Sequence, residues 1–356
     1  MLQFVGNIDF CVLPKRRTRR LPPPPPLAAA RREWHNTDTM KDMKIGRMGF
    51  LRSACAMAAM PSAIAATGCV ASGVPRRSEE RADELLSRWN EATEAVSPRD
   101  YGHYLHDGET RGFKALEALE YAFEKVLREI KETKVDGGAP AVWSVYNMGY
   151  VVKTREAMFS IDLVHRRDVE LASMLDFALV THNHGDHWRQ GFYSKMNGAG
   201  KTVISNFLDN YGVRDWKKNG GFTRAVKTFS IKDVEIRTSL IDHNEYLVDF
   251  TTAFEIKIGN FILYHTGDSG RGTEHKLGTS WGRPDLWLLF PGCGLNTAKA
   301  VAKVGAKRVV FGHLWELGHR QNHQGRLDES LVRRALAAAR PHCADTSFAL
   351  WGDRIV

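Results

Sequence analysis

Three imidazoles and a carboxylate fall within six consecutive positions, His182-Asn183-His184-Gly185-Asp186-His187. The run follows a mostly apolar stretch, residues 176–180, of the composition of a buried strand. Residues two apart on extended backbone share a face, so His182 and His184 can present nitrogens to one ion. Gly185 is expected to let the chain turn, bringing Asp186 and His187 towards a second ion. Imidazole with carboxylate suits a divalent metal such as zinc. A surface histidine cluster, or a helix N-cap at Asp186, would account for a lone pair of imidazoles. It does not account for four ionisable groups at the end of a buried strand.

Such a turn needs a scaffold. Residues 78–134 carry Leu85, Leu86 and Trp89, then Leu116, Leu119, Phe123, Val126 and Leu127, at three- and four-residue spacings, which predicts two amphipathic helices around a loop. After Gly137-Gly138 come short β-rich runs at 142–152, 158–164, 177–180, 203–205, 234–240, 254–258, 261–264, 286–290, 308–311 and 348–351, with helical patterns at 296–304 and 331–339. A strand meander that later alternates with helices predicts two packed sheets with helices outside, an α/β sandwich. Gly259-Asn260 between two apolar runs predicts a hairpin.

The chain has 356 residues and a formal charge of +9, but residues 1–78 hold 13 Lys and Arg against 4 Asp and Glu, so the entire excess lies there. The neutral remainder offers no basic track for nucleic acid. Residues 1–42, with five consecutive prolines after Leu21, read as a disordered or over-extended leader. Residues 43–69 have the layout of an export signal: Lys44, Arg47 and Arg52, an apolar run over 54–66, then Ala66-Thr67-Gly68-Cys69. That ending resembles the lipobox of bacterial lipoproteins, which implies an exported, envelope-associated protein anchored through Cys69. An ordinary cleaved signal or an organellar transit peptide are the other readings. Cys293 and Cys343 are the only cysteines of the body, and they imply no disulfide framework. The expected organisation is therefore leader, signal, a helical extension over 78–136 and a catalytic domain over 137–356.

The histidine run resembles the His-x-His-x-Asp-His signature of the metallo-β-lactamase superfamily, whose fold is a four-layer αββα sandwich, here preceded by N-terminal helices. The resemblance implies three further ligands in the order His, Asp, His, and the chain offers His243, Asp268 and His313. Asp268 and His313 lie just beyond predicted strand ends. Carried over, the resemblance assigns His182, His184 and His243 to one metal, and Asp186, His187 and His313 to a second, with Asp268 bridging. Asp162 corresponds to an acidic strand residue that supports the site from behind the ligands; His265 is expected as a strand histidine hydrogen-bonded beneath it. Over about residues 140–356 the likeness is to the branch of ascorbate-phosphate lactonase and N-acyl-phosphatidylethanolamine-type phospholipase D. It rests on Tyr264-His265-Thr266-Gly267-Asp268, Pro284-Asp285-Leu286 through Pro291-Gly292, and Leu350-Trp351-Gly352-Asp353.

Two divalent ions, zinc first and manganese or iron as the other candidates, would share a water and bring its pKa from 15.7 towards about 7. The resulting hydroxide would attack an ester, lactone, amide or phosphodiester of a small or lipid-like substrate, with Asp186 and Asp268 as the carboxylates of catalysis. Trp188, Tyr246, Arg271 and His319 are the candidate substrate-binding residues, with Trp315, Glu316 and His323 as further wall positions. Two other readings use the same residues. One is an envelope binding protein with a structural metal; the other is an iron-dependent redox member of the fold, against which His184 argues.

Overall fold

The computed structural model describes residues 79–207, 227–317 and 328–356. The leader, the stretch ending at Cys69, and His319 and His323 lie outside the described residues.

Three helices open the described chain, where the spacing predicts two: α1 (Glu79–Glu94), α2 (Pro98–Asp107) and α3 (Lys114–Glu132). The additional α2 is a matter of end chemistry. Ser97 caps it by accepting from the Asp100 amide, and Pro98 fills the first turn, where its missing N–H costs nothing. Its buried face is only Tyr101 and Tyr104, too short a period to stand out. α3 buries Leu116, Leu119, Phe123, Val126 and Leu127, as the spacing predicts.

The first sheet runs in the order β1 (Ala141–Ser144), β2 (Tyr150–Lys153), β3 (Met158–Ile161), β4 (Phe177–Val180), β5 (Thr202–Ser205). Pairing is antiparallel from β1 to β3 and parallel from β3 to β5. The apolar run at 142–152 is thus two strands, reversed by a loop in which the Val145 amide donates to the Gly149 carbonyl at 2.8 Å. The second sheet is ordered β12 (Thr346–Phe348), β11 (Val309–Phe311), β10 (Leu286–Leu289), β9 (Phe261–His265), β8 (Thr251–Ile258), β7 (Val234–Ile241), β6 (Thr228–Ile231). Here β6 to β9 pair antiparallel and β9 to β12 parallel. The hairpin at Gly259-Asn260 is present, with Ile258 paired to Phe261.

Parallel neighbours need crossovers. In the first sheet these contain α4 (Asp168–Ala172) and α5 (Gln190–Gly198); in the second, α6 (Thr297–Val304) and α7 (Glu329–Ala339). Every residue of β1, β4, β10 and β11 is buried, the pattern of strands covered on both faces. Two mixed sheets with helices in their crossovers form the α/β arrangement that the strand and helix order predicts, with α1–α3 sharing the hydrophobic core. Strand β6 and helices α4 and α5 escape the sequence reading because each is short and only partly apolar.

The parallel strands β4 and β11 and the ends of β7 and β9 each lead directly into a histidine- or aspartate-bearing loop. The last residues run back beside β1, with the Ile355 amide donating to Val142 O at 2.7 Å.

Candidate metal centre

The turn after β4 meets the loops after β7, β9 and β11 at one place. His182, His184 and His243 offer ligand atoms within 4.8 Å of one another, and so do Asp186, His187, Asp268 and His313. The ring centroids of the first three stand 4.6–5.1 Å apart. His182 Nε2 and His184 Nδ1 face each other at 3.1 Å. In the second group Asp186 Oδ2 lies 3.0 Å from His313 Nε2 and 3.1 Å from His187 Nε2. Asp268 stands between the groups: Oδ1 is 3.3 Å from His187 Nε2, and Oδ2 is 3.6 Å from His243 Nε2 and 3.5 Å from His313 Nε2.

Local chain geometry sets these positions. Gly270 carries the loop beyond Asp268 past His243 so closely that a Cβ would lie 1.8 Å from the His243 carbonyl oxygen. Gly267, at φ 48, similarly abuts Thr181. Gly185 takes no left-handed φ and a Cβ there would meet nothing, so the turn forms without needing a glycine. Asn147, Asp162, Cys293, His313 and Trp315 all have positive φ, a conformation that costs non-glycine residues energy and persists only when the surroundings enforce it.

Behind the ligands, Asp162 takes three hydrogen bonds. Oδ1 accepts from the Thr181 amide at 2.7 Å, and Oδ2 accepts from Thr181 Oγ1 at 2.7 Å and His187 Nδ1 at 2.8 Å. Thr181 Oγ1, its proton committed to Asp162, accepts from His182 Nδ1 at 3.0 Å. One carboxylate therefore orients an imidazole in each group, leaving Nε2 of both His182 and His187 facing inwards. Thr181 is a residue the sequence reading misses, although its place directly before the histidine run is the available signal. Asn147 is another: its Nδ2 donates to Asp186 Oδ2 at 3.3 Å and its carbonyl accepts from the His313 amide. His265 is spoken for at both nitrogens, Nε2 bonding Met148 O and Nδ1 accepting from the Gly267 amide, so it supports the loop and has no lone pair left for an ion.

The donor set fits a cation. His187 Nε2, His243 Nε2 and Asp268 Oδ1 are buried with no hydrogen-bond partner, an arrangement that is costly unless something binds them. Donors sharing an ion at about 2.0–2.2 Å are at most about 4.4 Å apart, so the observed spread closes with small movements. Burial holds His184 down to about 4 and His182 well below the usual imidazole range, so both are neutral and ready to donate. Burial also opposes protonation of His187, but Asp186, Asp268 and Asp162 overcome it and hold that imidazole well above its usual range. The negative charge that attracts those protons is the charge that would attract a metal.

Among the expected substrate-binding residues, Trp188 packs edge-on against Phe207 and donates Nε1 to Asn183 O within the ligand turn. Tyr246, 80% exposed, lies on the loop after His243. Arg271 is also exposed and lies 3.9 Å from Glu245. Glu316 is buried, 3.9 Å from His313 Nδ1, and Trp315 is buried beside α1, stacked on Trp89.

No family model matches the chain. A UPF0173 metal-dependent hydrolase of Korarchaeum cryptofilum is 25% identical over 175 residues, 48% of this chain and 78% of that protein. A protein of the same description from Heliobacterium modesticaldum is 32% identical over 126 residues, covering 32% of this chain and 52% of its own. Among solved structures, a metallo hydrolase from Ignicoccus hospitalis aligns at a TM-score of 0.44 and 15% identity, over 61% of this chain and 97% of its own.

Proposed function

We propose that this chain is a metal-dependent hydrolase of the metallo-β-lactamase superfamily that holds two divalent cations, zinc foremost, and cleaves an ester, lactone or phosphodiester of a small or lipid-like substrate. The observation that supports it is the convergence of seven donor side chains in two groups with Asp268 between them, several of their atoms buried and unbonded. His182, His184 and His243 would hold one cation; Asp186, His187 and His313 the other. When bound, such a pair supplies a hydroxide nucleophile near neutral pH and withdraws charge from the oxygen that becomes negative. The chain's own part is positional. Asp162 and Thr181 fix the imidazole tautomers, and Asn147 steadies Asp186.

The likeness to the lactonase and phospholipase D branch supports the substrate class, and the neutral charge balance beyond residue 78 supports a non-nucleic-acid substrate. The test is metal analysis of the purified protein followed by hydrolysis of a phosphodiester, an acyl lactone and a phospholipid. Turnover of one of these with zinc bound is expected, and His184→Ala should reduce it at least about 100-fold while circular dichroism stays unchanged. Bound metal with no turnover would favour a binding protein, and a visible iron spectrum the redox reading. Export with anchoring at Cys69 belongs to the same proposal. Fatty-acid labelling of the expressed protein should disappear in Cys69→Ala; labelling that survives would remove the anchor.

A further inference from the structure

The loop after β10 delivers a thiol to the metal centre that the histidine and aspartate set does not include. Cys293 contributes its sulfur to a third cluster, with His243 and Asp268, in which the ligand atoms lie within 4.8 Å of one another. Two members of that cluster, His243 Nε2 and Asp268 Oδ1, are buried atoms without hydrogen-bond partners.

The thiol is held there by construction. Its carbonyl accepts from the Arg271 amide at 2.9 Å, tying the 291–294 loop to the segment that follows Asp268. The same carbonyl would lie 2.8 Å from a Cβ on Gly270, so those two loops touch at backbone distance. On one side Gly292 rides over the Phe290 ring, where a Cβ would come within 2.1 Å; on the other Gly294 takes φ 76. Between two glycines, Cys293 itself adopts φ 50. A glycine would meet that backbone demand at lower cost, yet a sulfur donor occupies the position.

We propose that Cys293 Sγ is a ligand to a cation shared with His243 and Asp268, giving that cation a mixed imidazole, carboxylate and sulfur environment. On binding, the thiol releases its proton to solvent and a metal–sulfur bond forms, with no change of oxidation state. A sulfur donor biases the centre towards zinc, cobalt or cadmium and away from magnesium and manganese, whose preference is for oxygen.

The inference rests on the metal-binding reading above, and cobalt(II) separates the two. The full-length chain is loaded with cobalt(II), and its spectrum is compared with those of Cys293→Ser and Cys343→Ser. Visible d–d bands report the histidine and aspartate ligands, whereas an intense near-ultraviolet charge-transfer band reports a sulfur–cobalt bond. The expected result is both sets of bands in the unaltered chain and in Cys343→Ser, with only the near-ultraviolet band lost in Cys293→Ser. Visible bands without the near-ultraviolet band, or a near-ultraviolet band that persists in Cys293→Ser, overturns the thiol ligand and leaves the metal centre standing. No cobalt uptake by the unaltered chain overturns both. As a second readout, cobalt should slow iodoacetamide labelling of Cys293 at least about tenfold, as mapped by peptide mass; equal rates with and without metal count against coordination.

Discussion

Asp162 orders imidazoles of both donor groups without belonging to either. Its two oxygens receive Thr181 and His187 directly and His182 through the Thr181 hydroxyl, so one buried carboxylate determines which nitrogen two ligands present. Removing the relay should separate the two groups. Thr181→Val retains the shape but leaves His182 Nδ1 without an acceptor, and partners of this kind carry about 10–100-fold in metal affinity. Metal titration should show the loss first for the ion held by His182, His184 and His243; equal losses for both ions would contradict the relay. At this scale the sequence was most informative where types cluster. The run 182–187 announced itself, whereas His243, Asp268 and His313 became candidates only through family resemblance, because single residues 56, 25 and 45 positions apart carry no local pattern. Thr181 and Asn147 act through hydrogen bonds made by common polar residues; only the place of Thr181 directly before the histidine run marks that use, and nothing near Asn147 does.

Elements bring the ligands within reach, and their junctions are tighter than their centres. The clearest case is the pass of Gly270 beneath His243, where added side-chain volume collides with backbone and not with a movable side chain. Gly270→Ala should destabilise the fold by about 1–3 kcal/mol, the range for overpacked sites, and weaken cation binding at His243. A urea midpoint and metal content unchanged from the parent would contradict the close approach. The strands were largely legible because burial on both faces leaves nearly continuous apolar runs, as in β4, β10 and β11. Less legible were interruptions. Val145 to Gly149 is as apolar as the strands it separates, and only its hydrogen bond and the left-handed Asn147 reveal the reversal. Helix α2 was lost for a related reason: the N-cap signal at Ser97-Pro98 is specific, but only two buried tyrosines follow it.

At the scale of the whole molecule, one carboxyl buried outside the donor groups couples stability to pH. Asp168, buried at the start of α4, has its carboxyl pushed up to about 6, chiefly by loss of solvent, and the Arg189 guanidinium 3.3 Å away only partly offsets that. In an unfolded chain the same group ionises near about 3.9. The native state therefore holds the proton more tightly between those values, and its contribution to stability declines as pH rises from about 4 to about 6. Asp168→Asn lacks this dependence. Urea midpoints at pH 4.5 and 7 should show the parent losing stability relative to the variant across the interval; a constant difference would exclude the burial effect. The general architecture was legible from strand and helix order. The sharing of one core by α1–α3 and both sheets was not, since helix periodicity shows that a face is covered without naming what covers it.

The donors that converge on Asp268 come from both sides of the sandwich: His182, His184, Asp186 and His187 follow a strand of the first sheet, and His243, Asp268 and His313 follow three strands of the second. Ions bound among them would act as rivets across the seam between the two halves. Stripping them would then be a mechanical event as well as a chemical one, loosening the seam where the two halves meet.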